Sequence, residues 1–313
     1  MHDVFHALAT FFDHLRAVDW KFILLAIAAH LTKVLARTRA WRNILAAAYP
    51  DKRIRWRTTF GAYAAGAGVN AVIPVRGGDV LKLFLVKRNI PGSTYPTVGA
   101  TLLVDLIVDV TLSAALVIWA LAAGILPGVH VLHRLPSVDW FWLFEHPRRA
   151  VEVVLLTLVV LAALTALASH RIEEFWLRVR QGVAILRTPG LYLRKVASLE
   201  LLDWAMRLVT IYFFLRAFHV PGTAANVFRV QMTQSLSTIV PLTPSGIGTG
   251  QALIVYVLRG QASRTALLSL SVGMTAVIVT VNVALGLIAL LLMLRTLHWR
   301  RVVERDAASQ PSP

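Results

Sequence analysis

The chain has 313 residues, 57% of them hydrophobic and 15% charged, with a mean hydropathy of +0.66; a soluble domain carries roughly 45–50% apolar and about 25% charged residues, so composition excludes an ordinary water-soluble globule and indicates an integral membrane protein. The formal net charge of +16 does not point to nucleic acid, because Lys and Arg fall in blocks between apolar runs, as in cytoplasmic loops facing anionic lipid. With no cysteine, disulfides, thiolate nucleophiles and Cys-ligated metals are also excluded.

In chain order, residues 1–19 carry three Asp and one Arg before any long apolar run, the wrong charge sign for a signal peptide. Phe5, Leu8, Phe12 and Leu15 recur at helical spacing, which predicts an interfacial helix. A hydrocarbon core about 30 Å thick needs roughly 20 apolar residues of helix. Spans are predicted over 20–36, 97–126, 150–169, 196–217 and 264–294. At 1.5 Å per residue the last would be about 46 Å long, so it tilts, protrudes or breaks near Gly273.

Loop charge sets the orientation. Residues 33–57 hold Lys33, Arg37, Arg39, Arg42, Lys52, Arg53, Arg55 and Arg57 against Asp51, and 170–195 hold six basic residues against Glu173 and Glu174. Both are predicted to be cytoplasmic, while 127–149 is nearly balanced and is placed outside. Five spans with an outside amino end satisfy every loop, and 296–313 forms a cytoplasmic tail.

Residues 58–88 and 229–260 remain unplaced. Each runs from small apolar residues through a Pro and Gly cluster into a short amphipathic stretch, too interrupted for a regular span. The first contains NAVIPVRGGDVLKLFLVKR, with Pro74, Gly77, Gly78 and Arg88; the second contains VPLTPSGIGTGQ, with Pro244, Gly246 and Gly248, then Arg259. Irregular backbone at membrane depth must be buried in protein or line a wet cavity. Both are read as re-entrant elements that meet. The predicted fold is therefore an all-α polytopic membrane protein in one domain over 20–295. Repeat 1 (about 20–126) and an inverted repeat 2 (about 196–295) are joined by a linking helix at 150–169. Two unrelated turns are the plainer alternative.

These motifs, together with LVDLIVD at 103–109, resemble the transmembrane, flippase-like region of the lysylphosphatidylglycerol synthase family, over roughly residues 20–295. The resemblance implies a polytopic helical domain that moves a lipid or lipid-linked headgroup between leaflets. One position departs: where the family pattern has Glu-Arg-x-x-Asp, this chain has Asp105, Leu106 and Asp109, which puts any role of that local Arg in doubt. The family's soluble aminoacyl-transfer domain is not expected, so neither is lipid aminoacylation.

Candidate site residues follow. Asn70, Pro74, Arg76, Gly77, Gly78, Asp79 and Lys82 form a mouth for a phosphate headgroup, the glycines letting backbone amides approach the anion, or else a positive-inside anchor; for Lys87 and Arg88 the anchor reading is preferred. Thr243, Pro244, Ser245, Gly246, Gly248 and Gln251 offer uncharged polar groups to the neutral part of a headgroup, or form a structural kink. Asp105 and Asp109, four apart, form a proton relay or a structural ion pair with Arg76 or Arg207. Glu200, Asp203 and Arg207 share one face, and Asp203 is expected to pair with Arg207 within its helix. His30, Asn226 and Asn282 are assigned to helix packing.

No metal site, cofactor or catalytic motif is expected, and no nucleic acid. The expected partner is a membrane lipid or lipid-linked substrate in the cell membrane, a bacterial inner membrane, with a homo-oligomer left open. The rival classes are an integral-membrane lipid-modifying enzyme and a membrane partner protein without transport.

Overall fold

The computed structural model describes residues 18–72, 77–122, 169–239 and 249–308. Among them the chain forms helices α1 (Trp20–Ala48), α2 (Trp56–Val72), α3 (Gly77–Asn89), α4 (Tyr95–Ala122), α5 (Ser169–Gly182), α6 (Ser198–Ala217), α7 (Ala224–Ile239), α8 (Thr249–Val257) and α9 (Arg264–Ala308). A 3-10 turn, a one-turn helix and a π turn connect α5 to α6 over residues 184–197. The predicted interfacial helix, the stretch 127–149 and nearly all of the linking helix lie outside the described residues.

α1 starts where the Asp19 carboxylate accepts the Lys21 amide at 3.0 Å, satisfying one of the donors a helix start leaves unpaired. It then runs 29 residues, well beyond the end of its apolar run at residue 36. Lys33 and Arg37, read from sequence as loop charges, are therefore inside a helix. Arg39 and Arg42 also lie in α1 and Arg57 in α2, and the loop itself, residues 49–55, keeps Lys52, Arg53 and Arg55 against Asp51.

α1 and α6 pack antiparallel. Asp19 N donates to Ala217 O at 3.1 Å at one end, the Phe22 and Phe213 rings stack at 6.2 Å, and Asn43 Nδ2 donates to Lys195 O at 2.7 Å beyond the other end. α4 also runs antiparallel to α1, held by the bond from Trp41 Nε1 to Thr101 Oγ1 at 3.0 Å. It meets α7 through Trp119 and Phe228, 6.1 Å apart.

α2 and α3 form an antiparallel hairpin so close that only glycine fits. A Cβ on Gly78 would lie 1.9 Å from the Gly66 carbonyl oxygen. On its other side α2 crosses α9, where a Cβ on Gly286 would lie 2.9 Å from the Gly68 Cα. α7 and α8 form a second hairpin, with Val230, Ile254 and Leu258 in one apolar cluster that also takes in Leu267 and Leu270 of α9.

α9 continues unbroken for 45 residues, about 68 Å, so it does not break at Gly273. That glycine makes room for the Phe218 ring, whose Cζ would sit 2.3 Å from an added Cβ. By length and composition, Tyr95–Leu116 and Arg264–Met293 are apolar enough to cross a membrane. Leu103 and Ile107 on α4 and Leu287, Ile288, Leu291 and Leu292 on α9 are exposed, an apolar surface suited to lipid. α1 and α6 match them in length but are interrupted by charged side chains, and those charges converge.

A charged cavity between the helices

A cavity of about 840 Å³ lies between α1, α2, α3, α4, α6, α7 and α9. From α1 it receives His30, Lys33 and Arg37, spaced so that all three share one helix face. α4 contributes Asp105, Leu106, Asp109 and Ser113, and α6 contributes Arg207 and Thr210. Tyr63 and Asn70 enter from α2, Asp79 and Lys82 from α3, Gln231, Gln234 and Ser235 from α7, and Met274, Ile278 and Asn282 from α9.

The wall between α1, α4 and α6 is an ion-pair network. Arg37 places Nε and a terminal nitrogen each 3.1 Å from Asp105 Oδ2, and its second terminal nitrogen reaches Asp109 at 3.5 Å and Asp203 at 3.7 Å. Arg207 bonds Asp109 at 3.1 Å and Asp203 at 3.0 Å. Trp204 Nε1 donates to Asp109 Oδ1 at 3.1 Å. Asp203 thus pairs with Arg207 within α6 and is also tied to α1. The partner of Asp105 is Arg37, which was not considered from sequence, while Arg76 lies outside the described residues. Leu106 sits in the cavity wall where the family pattern has Arg, and the guanidinium groups beside Asp105 and Asp109 come from α1 and α6.

The hairpin side is organised by Asn70, whose Oδ1 accepts the Gly78 amide at 2.7 Å and whose Nδ2 donates to Asp79 at 3.2 Å. Asn70 therefore caps the start of α3 from the neighbouring helix. The Gly78 amide is engaged by this side chain, and the missing side chain of the glycine lets α3 pack closely on α2. Lys82 bonds Asp79 at 2.8 Å and lies 4.6 Å from the centre of the Tyr63 ring. Lys87 and Arg88 are exposed, at the far end of α3.

His30 Nε2 and Asn282 Oδ1 are 2.9 Å apart, linking α1 to α9 inside the cavity. Asn226 instead ties the second hairpin together, donating to Pro221 O and to Gln261. Gln251 donates to Thr275 at 3.4 Å and is not part of the cavity lining. Pro74, Thr243, Pro244, Ser245, Gly246 and Gly248 lie outside the described residues.

Sequence reading missed Lys33, Arg37, Gln231 and Gln234. The shared face of His30, Lys33 and Arg37, opposite two acidic residues four apart, was the signal that could have found the first two. Lys33 projects into the cavity with no carboxylate oxygen within 4.0 Å among the described residues. Such a cation in a partly enclosed site can donate a charge-assisted hydrogen bond to an anion.

A family model, that of the Lysylphosphatidylglycerol synthase TM region, matches residues 5–286. Among curated proteins, the UPF0104 membrane protein MJ1078 of Methanocaldococcus jannaschii is 20% identical over 196 residues, which cover 61% of this chain and 79% of that protein. No solved structure matches the chain.

Proposed function

The chain belongs to the Lysylphosphatidylglycerol synthase TM region family, and from that premise we propose that it moves a lipid, or the headgroup of a lipid-linked molecule, between the leaflets of a cell membrane. The observation that carries this reading is the cavity: about 840 Å³ of space lined by both signs of charge, inside helices whose outer faces are apolar. A polar headgroup can sit there while its chains stay in lipid. The volume falls in the range of about 300–1,000 Å³ usual for small-molecule sites. Ionisable side chains at membrane depth are expensive, and they are normally kept where they face a substrate or ion path.

The packing also supports an inverted repeat. α1, the α2–α3 hairpin and α4 correspond to α6, the α7–α8 hairpin and α9. α2 packs on α9 while α7 packs on α4, and α1 pairs antiparallel with α6. Each hairpin thus leans on the final helix of the other half, the exchange expected when two opposed repeats enclose a site between them. In this reading the hairpins are re-entrant, five helices span the membrane fully, and the role of the site is translocation without covalent chemistry.

The test uses vesicles of phosphatidylglycerol and phosphatidylethanolamine with a fluorescent phosphatidylglycerol and a membrane-impermeant quencher. The reconstituted protein is expected to expose inner-leaflet label faster than protein-free vesicles, and Lys33→Gln to slow that exposure at equal protein content. No acceleration with this lipid or with a panel of neutral and polyprenyl-linked lipids would remove the proposal.

A further inference from the structure

Behind the cavity, among the described residues, carboxyl groups outnumber the cations that face them. Arg37, Arg207 and Lys33 stand against Asp105, Asp109, Asp203 and Glu200, while Asp79 and Lys82 pair separately on α3. Glu200 and Asp203 are wholly buried and Asp105 nearly so. An unbalanced negative charge at that depth is costly, so the cluster calls for one more positive charge.

The geometry indicates where that charge belongs. Both Glu200 carboxyl oxygens and Asp105 Oδ1 are buried with no hydrogen-bond partner among the described residues. The two carboxyls face each other, Asp105 reaching in from the cavity wall and Glu200 lying behind it on α6. Two ionised carboxylates so placed repel, whereas one proton between them turns the repulsion into a hydrogen bond. Tyr192, in the connector before α6, lies near both Glu200 and Asp105, and its hydroxyl is also buried and unpartnered among the described residues. Tyr63 of α2 faces the same group of charges from the hairpin.

We infer that Glu200 and Asp105 share one exchangeable proton, loaded from the cavity by way of Asp105 and released past Tyr192 toward the connector. On loading, an O–H bond forms on Glu200 and donates to Asp105 Oδ1, the oxygen that Arg37 leaves free. On release that bond breaks, the proton passes to water at the connector, and the cluster gains one negative charge. The inference rests on the translocation reading only for what the proton would drive.

Infrared difference spectroscopy of the purified full chain across a pH titration tests the site without any substrate. Wild type is expected to show the C=O stretch of a protonated carboxyl, shifted in deuterated water. The band should vanish in Glu200→Gln and move in Asp105→Asn. A wild-type spectrum with only ionised carboxylate bands overturns the inference, and this outcome needs no variant to fold. In a second arm, vesicles with a trapped pH dye receive an acid outer buffer. Lumenal acidification at least several-fold faster with wild type than with Glu200→Gln supports proton passage, and equal rates overturn it. Labelled phosphatidylglycerol in the same vesicles separates the two claims. A carboxyl band with proton flux but no movement of this lipid or of the neutral and polyprenyl-linked panel keeps the proton site and removes the translocation reading; lipid movement with no carboxyl band does the reverse.

Discussion

Replacing Arg37 by Met tests whether the network between α1, α4 and α6 holds the fold together. The arginine side chain is 9% exposed and that of Asp105 6%, so neither charge can turn to bulk water. Losing Arg37 removes both donors from Asp105 Oδ2, while Arg207 still holds Asp109 and Asp203. Only one carboxylate is then stranded. Breaking one buried pair in this way costs about 3–5 kcal/mol. At 1.36 kcal/mol per tenfold change, that lowers the folded-to-unfolded ratio by a factor of about 100 to several thousand. The assay is unfolding by sodium dodecyl sulfate in mixed micelles, followed by the fluorescence of the chain's nine Trp. The companion variant Arg37→Met, Asp105→Leu is expected to regain most of the loss, because an apolar pair of similar volume replaces a buried ion pair at little cost. Arg178→Ala, which breaks an exposed pair with Glu174 at 3.1 Å, is expected to cost no more than about 0.5 kcal/mol. If Arg37→Met is as stable as Arg178→Ala, or the double variant is no better than the single one, the network is not a structural element.

Gly78→Ala is expected to lower thermal stability and folded yield, since its Cβ would meet the Gly66 carbonyl oxygen; Gly99→Ala, with nothing within 4 Å of an added Cβ, is expected to gain about 0.5–1 kcal/mol from helix entropy in the same melt. Trp204→Phe removes the donor to Asp109 and is expected to cost about 2 kcal/mol by the micelle assay. Because the chain has no cysteine, Arg180→Cys gives a single label site on exposed α5. It is expected to react with an impermeant maleimide only after cells are opened, and reaction in intact cells would reverse the orientation drawn from loop charge.

The helices that face lipid were legible in the sequence, and those that face the cavity were only partly so. α4 and the first two-thirds of α9 contain long apolar stretches, and hydropathy located both. The true length of α1 was hidden because Lys33 and Arg37 end its apolar run, and hydropathy cannot tell a cation turned to an internal cavity from one turned to water. Asp105 and Asp109 stood out because acids are rare in apolar sequence, and Arg207, named as a candidate partner, does bond Asp109; the partner of Asp105 lies 68 positions away, on a helix whose position no local pattern gives. Gly78 was noticed as a point where backbone could come close to a ligand; the close approach visible in the structure is to Gly66, twelve residues earlier, once the hairpin closes, and no local pattern gives that.

The two kinds of helix contact in this protein differ in how they resist sliding. Between α1 and α6 a stacked ring pair, the Asp19–Ala217 backbone bond and the Arg37–Asp203 contact interlock, and Arg37 also grips α4, so a shift must unmake several bonds together. α2, by contrast, carries GAYAAGAG through its middle and meets α3 and α9 backbone to backbone at Gly66 and Gly68. Such surfaces fix the distance between axes yet offer few side chains to catch. Asn70 pins α2 to α3, so it is on the α9 side, where Gly68 meets Gly286, that sliding along α2 meets less resistance than at the α1–α6 contact.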